Sequence, residues 1–135
     1  MPTPLELRER GEQARKRGDL HAAQRHYEQA VAEMRTSGDQ LKFAHTIRHL
    51  GDVHRQQKHW PEAESCYIEA LGIYRTHPSP NALDVANAVR AYAVLKSDTG
   101  EDEEARPLWI ESRDVYQSLG IQAGVDEYNR RFGGN

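Results

Sequence analysis

Cysteine is almost missing from this chain: Cys66 is the only one in 135 residues, which excludes an internal disulfide and any metal centre built on several thiolates. A lone thiol in an apolar helical context is usually a small buried side chain, as expected in a reducing compartment. Charge of one sign is also missing. Lys and Arg number 18 against 21 Asp and Glu, a formal net charge of −3, so no overall basic excess draws the molecule onto nucleic acid. No apolar run approaches the length of a membrane span. The opening MPTPLELRER lacks the basic-then-apolar order of a signal peptide. These absences predict a cytoplasmic chain with neither nucleic acid nor membrane as partner. Apolar residues are scarce too, at 37 % with a mean hydropathy of −0.88. Scattered at that density they would leave the chain disordered, so folding depends on their being periodic.

They are periodic. Three segments align: GDLHAAQRHYEQAV from Gly18, KHWPEAESCYIEAL from Lys58 and GEDEEARPLWIESR from Gly100. Ala23, Ala63 and Ala105 match; so do Tyr27, Tyr67 and Trp109, and then Ala30, Ala70 and Ser112. Upstream of each segment a second helical stretch carries a small residue in register: Gly11, Gly51 and Ala93. The spacing of about 40 residues is that of stacked helix pairs. A small residue on the first helix lets the second approach, and the aromatic fills the space beside the contact. One pair cannot bury its apolar face alone, whereas three stacked pairs can.

Boundary signals agree with this division. Thr3-Pro4-Leu5-Glu6 reads as a capping box with proline at the first helical position, and Ser79-Pro80 repeats the serine-then-proline start for the third pair. Turns fall at Gly18-Asp19 and Thr99-Gly100 within pairs, and at Thr36–Asp39 and His77–Pro80 between them. The segment IQAGVDEYNRRF places Ile121, Val125, Tyr128 and Phe132 at helical spacing before Gly133-Gly134 stops it.

The sequence thereby resembles the tetratricopeptide repeat family over about residues 4 to 132. Its long period and Pro107 are similar to the subclass found in kinesin light chains. The first-helix tryptophan usual in the family is replaced by Leu7, Ile47 and Val89, and Ser112 stands where alanine is typical. The resemblance implies an all-α, right-handed α-solenoid in a single domain over 1–135. Its repeats run over about 4–37, 40–77 and 80–119, and a capping helix over about 121–132.

The stretch HTIRHLGDVH concentrates candidate chemistry. At about 100° per residue, His45, Arg48, His49, Asp52, Arg55 and Gln56 share one stripe, while Phe43, Ile47, Leu50, Gly51 and His54 share the opposite one. His54 is read as a histidine packed between helices. His45, His49 and Asp52, at spacings of four and three, offer the ligand types of a Zn or Fe site; Arg48 within the stripe opposes a divalent cation. The competing reading pairs Asp52 with Arg48 or Arg55 and leaves the histidines solvated.

In the family, the equivalent stripe of each first helix lines a concave groove. The resemblance therefore implies a partner-binding face of Arg8, Glu12, Arg15, His45, Arg48, His49, Asp52, Arg55, Asn87 and Arg90. Arg8, Arg48 and Arg90 occupy one repeat position, and forks spaced along a groove suit an acidic segment or a free C-terminus. The alternative is that they stitch repeats together through Glu12, Asp52 and Asp98. The positions that clamp chaperone tails in some members fall here on Glu12, His49, Asn87 and Ala91, which does not support that ligand. No nucleophile elbow or phosphate-cradling glycine loop is present. The sequence predicts a protein–protein interaction module that is not an enzyme, needs no cofactor, binds a protein or peptide and is a monomer or weak homo-oligomer. A self-assembling structural protomer is the alternative, and a metal-binding protein using His45, His49 and Asp52 a remote one.

Overall fold

A computed structural model describes residues 1–133, all helix, turn and loop, with no strand among them. Three helix pairs follow one another: α1 (Pro4–Lys16) with α2 (Leu20–Met34), α3 (Gln40–Gln56) with α4 (Trp60–Thr76), and α5 (Ala82–Asp98) with α6 (Asp102–Ser118). A short α7 (Gln122–Tyr128) continues into a π-helical turn over Asn129–Gly133. Gly134 of the expected glycine stop lies outside the described residues. The chain forms two compact units, Met1–His77 and the remainder from Pro78.

In the first unit α1 packs on α2, α3 on α4, and α2 joins the pairs by packing on α3. Close approach at glycine organises both hairpins. A Cβ placed on Gly11 would lie 2.9 Å from the Tyr27 ring, and one on Gly51 would lie 2.7 Å from Cε1 of Tyr67. Both tyrosines are fully buried, at 1 % and 0 % exposure. The expected match of small residue and aromatic is therefore a direct contact, and glycine is there because a methyl group has no room.

The second unit uses the same device with larger parts. Ala93, Ala105 and Trp109 form one buried cluster, against which Leu108, Tyr128 and Phe132 pack. The Trp109 indole donates to Ser97 Oγ at 3.0 Å. Ser112, standing where the other pairs carry Ala30 and Ala70, buries its hydroxyl on the carbonyl of Trp109 at 3.1 Å. Leu7, Ile47 and Val89, which replace the usual tryptophan, are all buried. Tyr128 and Phe132 thus cover their own core, as a capping segment requires.

The expected capping box closes α1. Glu6 N–H donates to Thr3 Oγ1 at 3.1 Å, and Thr3 N–H donates to Glu6 Oε1 at 3.2 Å. Ser79-Pro80 does not start the third pair. Asn81 is the cap, its side chain accepting from Asp84 N–H at 3.0 Å, and α5 begins at Ala82. Asparagine caps as well as serine, and it lies nearer the first apolar contact. The turns within the first and third pairs place Gly18 and Gly100 at φ +81° and +77°; Lys58 takes that role in the second at φ +65°. Its conformation closes α3 through a His59 N–H donated to the His54 carbonyl at 2.8 Å.

Candidate protein-binding site

The polar stripe of α3 is largely withdrawn from solvent, with Gln56 at its exposed end. Asp52 is 3 % exposed, because α1 covers it on one side and Tyr67 of α4 reaches it from another. Its Oδ1 accepts from the Tyr67 hydroxyl at 2.5 Å, and its Oδ2 accepts from Arg48 Nη1 at 2.6 Å. Arg15 of α1 brings Nη1 to within 3.8 Å of the same Oδ2, and Arg55 brings Nη2 to 4.0 Å from Oδ1. Arg55 also donates from Nε to the Tyr67 oxygen at 3.3 Å. Three guanidinium groups therefore share one buried carboxylate. Burial and that carboxylate together push the Tyr67 hydroxyl far above its ordinary pKa, so it donates to Asp52 throughout the physiological range.

Beside this hub, a cavity of about 430 Å³ opens between α1 and α3, lined by Glu12, Arg15, Lys16, Tyr27, His49 and Gln56. Arg15 Nε donates to Gln56 Oε1 at 2.7 Å, while Lys16 pairs with Glu12 at 3.2 Å on the exposed rim. The His49 ring lies parallel to Tyr27 at 6.0 Å and edge-on to His45 at 4.6 Å. Burial, with Arg48 beside it, drives the His49 pKa down to about 3, so the ring is a neutral wall. Burial likewise raises Tyr27 to about 12. Arg8 brings Nη1 to 3.4 Å from His45 Nδ1 and 3.5 Å from Thr46 Oγ1.

These contacts correct the remote metal reading. Both Asp52 oxygens are committed, and among the described residues no three His, Cys, Asp or Glu side chains come together as a ligand group. His54 is buried as expected, with its Nδ1 3.2 Å from that of His59. Cys66 is buried, and that burial raises its thiol to about 12.

The remaining candidates belong to the second unit. Asn87 Oδ1 accepts from the Tyr116 hydroxyl at 2.6 Å. Arg90 makes a two-pronged pair with Glu127 of α7, Nε donating to Oε1 at 2.6 Å and Nη2 to Oε2 at 2.7 Å. That pair holds the Glu127 carboxyl below its usual range. Sequence reasoning missed Glu127, though a signal existed. Arg8 and His45 are 37 residues apart, as are Arg90 and Glu127. Arg130 also follows Arg90, and Gly133 follows Ala93, by the same forty residues that separate Gly11 from Gly51. The last segment thus keeps the register of a first helix. Of the residues expected to stitch repeats, Asp52 links α1 and α3 and Glu12 pairs within α1; Glu127, on Arg90 of α5, is an unforeseen counterpart.

The tetratricopeptide repeat family's sequence pattern matches residues 5–76, just over half the chain. The chain belongs to that family. Tetratricopeptide repeats are in general protein–protein interaction modules, and they typically act as scaffolds rather than enzymes. No curated protein matches it in sequence. Among solved structures, the N-terminal domain of stress-induced protein-1 from C. elegans superposes with a TM-score of 0.68. It is 17 % identical, with 93 % of this chain and 94 % of that one covered, a likeness of fold. No helix among the described residues of this tetratricopeptide repeat protein is long and apolar enough to cross a membrane.

Proposed function

We propose that this tetratricopeptide repeat chain is a cytoplasmic adaptor, without cofactor or catalytic activity, whose α1–α3 face takes an acidic segment of a partner protein. The observation carrying this reading is the sharing of Asp52 by Arg15, Arg48 and Arg55. One carboxylate cannot neutralise both Arg15 and Arg48, and Arg8 adds a further cation on the same face. Lys16 is already matched by Glu12. Of these cations Arg15 lines the cavity, where water screens its charge less than on an open surface. An incoming carboxylate supplies the missing charge and accepts from planar forks that Asp52 already orients.

The proposed binding face thus comprises Arg8, Glu12, Arg15, His45, Arg48, His49, Asp52 and Arg55. Asn87 and Arg90 are a secondary part of it, since each already bonds within its own unit. The test is a peptide array scored for captured full-length chain. Extended acidic peptides should be selected over basic and neutral ones, and a double Arg8→Glu, Arg15→Glu variant of unchanged helicity should lose that selection. An array without acidic preference would end the reading.

A further inference from the structure

Arg48 is a half-satisfied, largely buried charge. Its side chain is 15 % exposed, yet of its three nitrogens only Nη1 has a partner, Asp52 Oδ2. Nε and Nη2 form no hydrogen bond with any described residue. Arg15 is similar: Nε donates to Gln56, Nη1 stands 3.8 Å from Asp52, and Nη2 has no partner. A guanidinium offers five N–H donors in one plane, and the unused ones on Arg48 and Arg15 are not sealed from solvent, so a ligand can reach them. Folding has therefore brought two partly unused forks together. Both reach the same oxygen, so their Nη1 atoms are no farther apart than those two distances end to end.

The anchor makes this a directed arrangement. Asp52 is held from the far side by Tyr67 and is itself almost fully buried. It fixes one edge of the Arg48 fork and leaves the other edge for something else. Two guanidinium groups that meet at Asp52 Oδ2, with Nε and Nη2 of Arg48 and Nη2 of Arg15 unused, offer more donors than a carboxylate's two oxygens can use. A phosphate monoester has three terminal oxygens and nearly twice the charge, and it meets two guanidinium groups at once. Charge points the same way. Arg15 and Arg8 stand with Glu12 and Asp52 around the Tyr27 hydroxyl, and Arg48 joins at the hub, so these cations outnumber the carboxylates by three to two.

Resting on the acidic-segment reading above, we propose that Arg15 and Arg48 hold the phosphate of a phosphorylated serine or threonine in that segment. The site discriminates phosphate from carboxylate by its count of converging donors and its surplus charge. Asp52 is a positioning residue that never touches the ligand. The recognition is non-covalent, so no bond is made or broken.

The test titrates isotopically labelled full-length chain, followed by amide chemical shifts in α1 and α3. Its probes are four: an acetylated and amidated Gly-Gly-phosphoserine-Gly-Gly peptide, its glutamate and serine counterparts, and inorganic phosphate. The phosphoserine peptide should bind at least tenfold more tightly than the glutamate peptide and should exceed inorganic phosphate, and the serine peptide should not bind. Arg48→Gln should reduce phosphoserine binding at least tenfold. Arg15→Gln, at a more exposed site, should do the same, so the inference does not depend on the folding of one variant. Arg106→Gln, in the second unit, should change nothing. Equal binding of phosphoserine and glutamate peptides would overturn the phosphate inference and leave the acidic-segment reading standing. Inorganic phosphate matching the phosphopeptide would overturn it in favour of a free-anion site. Failure of every anionic probe would remove both readings.

Discussion

The hydroxyl of Tyr67 donates to Asp52 at 2.5 Å, while the edge of the same ring lies where a Cβ on Gly51 would have to go. One side chain thus closes the α3–α4 hairpin and anchors the charged hub. A shift of the ring to relieve crowding at Gly51 would pull its oxygen away from the carboxylate.

Gly51→Ala should therefore destabilise the fold by about 1–3 kcal/mol, since the ring cannot retreat freely. Gly72 provides the contrast: it is exposed within α4 and a Cβ there meets nothing within 4 Å. Gly72→Ala should stabilise by about 0.5–1 kcal/mol through reduced unfolded-state entropy. Urea midpoints of the two variants, moving in opposite directions, check the pair.

Asp52→Asn leaves Arg48, Arg15 and Arg55 without their shared counter-charge and should cost about 3–5 kcal/mol, the range for removing one partner of a buried ion pair. Tyr67→Phe keeps the ring and loses only the hydroxyl, so about 1–3 kcal/mol is expected. Equal losses in urea denaturation would mean that the ion pairs contribute nothing.

His49 links stability to pH. Its pKa is about 3 in the fold against about 6.5 in the unfolded chain, so the unfolded state binds the extra proton. The contribution is fully present above the unfolded value and is lost as pH falls through 6.5 toward 3. The slope is about 1.4 kcal/mol per pH unit for one group. Burial lowers His54 in the same direction. Relative to His49→Gln, the native chain should lose about 2 kcal/mol more between pH 7 and 5, read from urea midpoints at the two pH values; parallel losses would contradict a neutral buried ring.

Lys58 holds φ +65° where the other two hairpins use glycine. Lys58→Gly should raise stability by about 0.5–1 kcal/mol, the left-handed strain relieved less the added chain entropy. A calorimetric melting temperature that falls instead would show that the lysine side chain makes a compensating contact.

Arg90→Gln should loosen the last helix without unfolding the unit, because α7 buries no residue fully and the two-pronged pair ties it to α5. The expected change is about 1 kcal/mol. It should be confined to faster hydrogen exchange at the α7 amides, with those of α5 and α6 unchanged.

The hairpins were legible in the sequence because helix packing demands volume at fixed offsets. Gly11 against Tyr27, Gly51 against Tyr67 and Ala93 against Trp109 can be read from spacing alone. The same periodicity assigned Asp52 correctly to a stripe with Arg48 and His49, yet said nothing of its depth. Spacing along one helix fixes the angle at which a side chain leaves the axis; the neighbour that closes over it decides its burial and its partner. Tyr67 and Arg15 reach Asp52 from other helices, and Glu127 reaches Arg90 from a segment whose register was hidden by its shortness. The sequence by itself determined that helices pair, where they turn and which small residues let them touch. Only the tertiary structure decided which charges are buried and which side chains they meet, since charges act through space between elements that no single period connects.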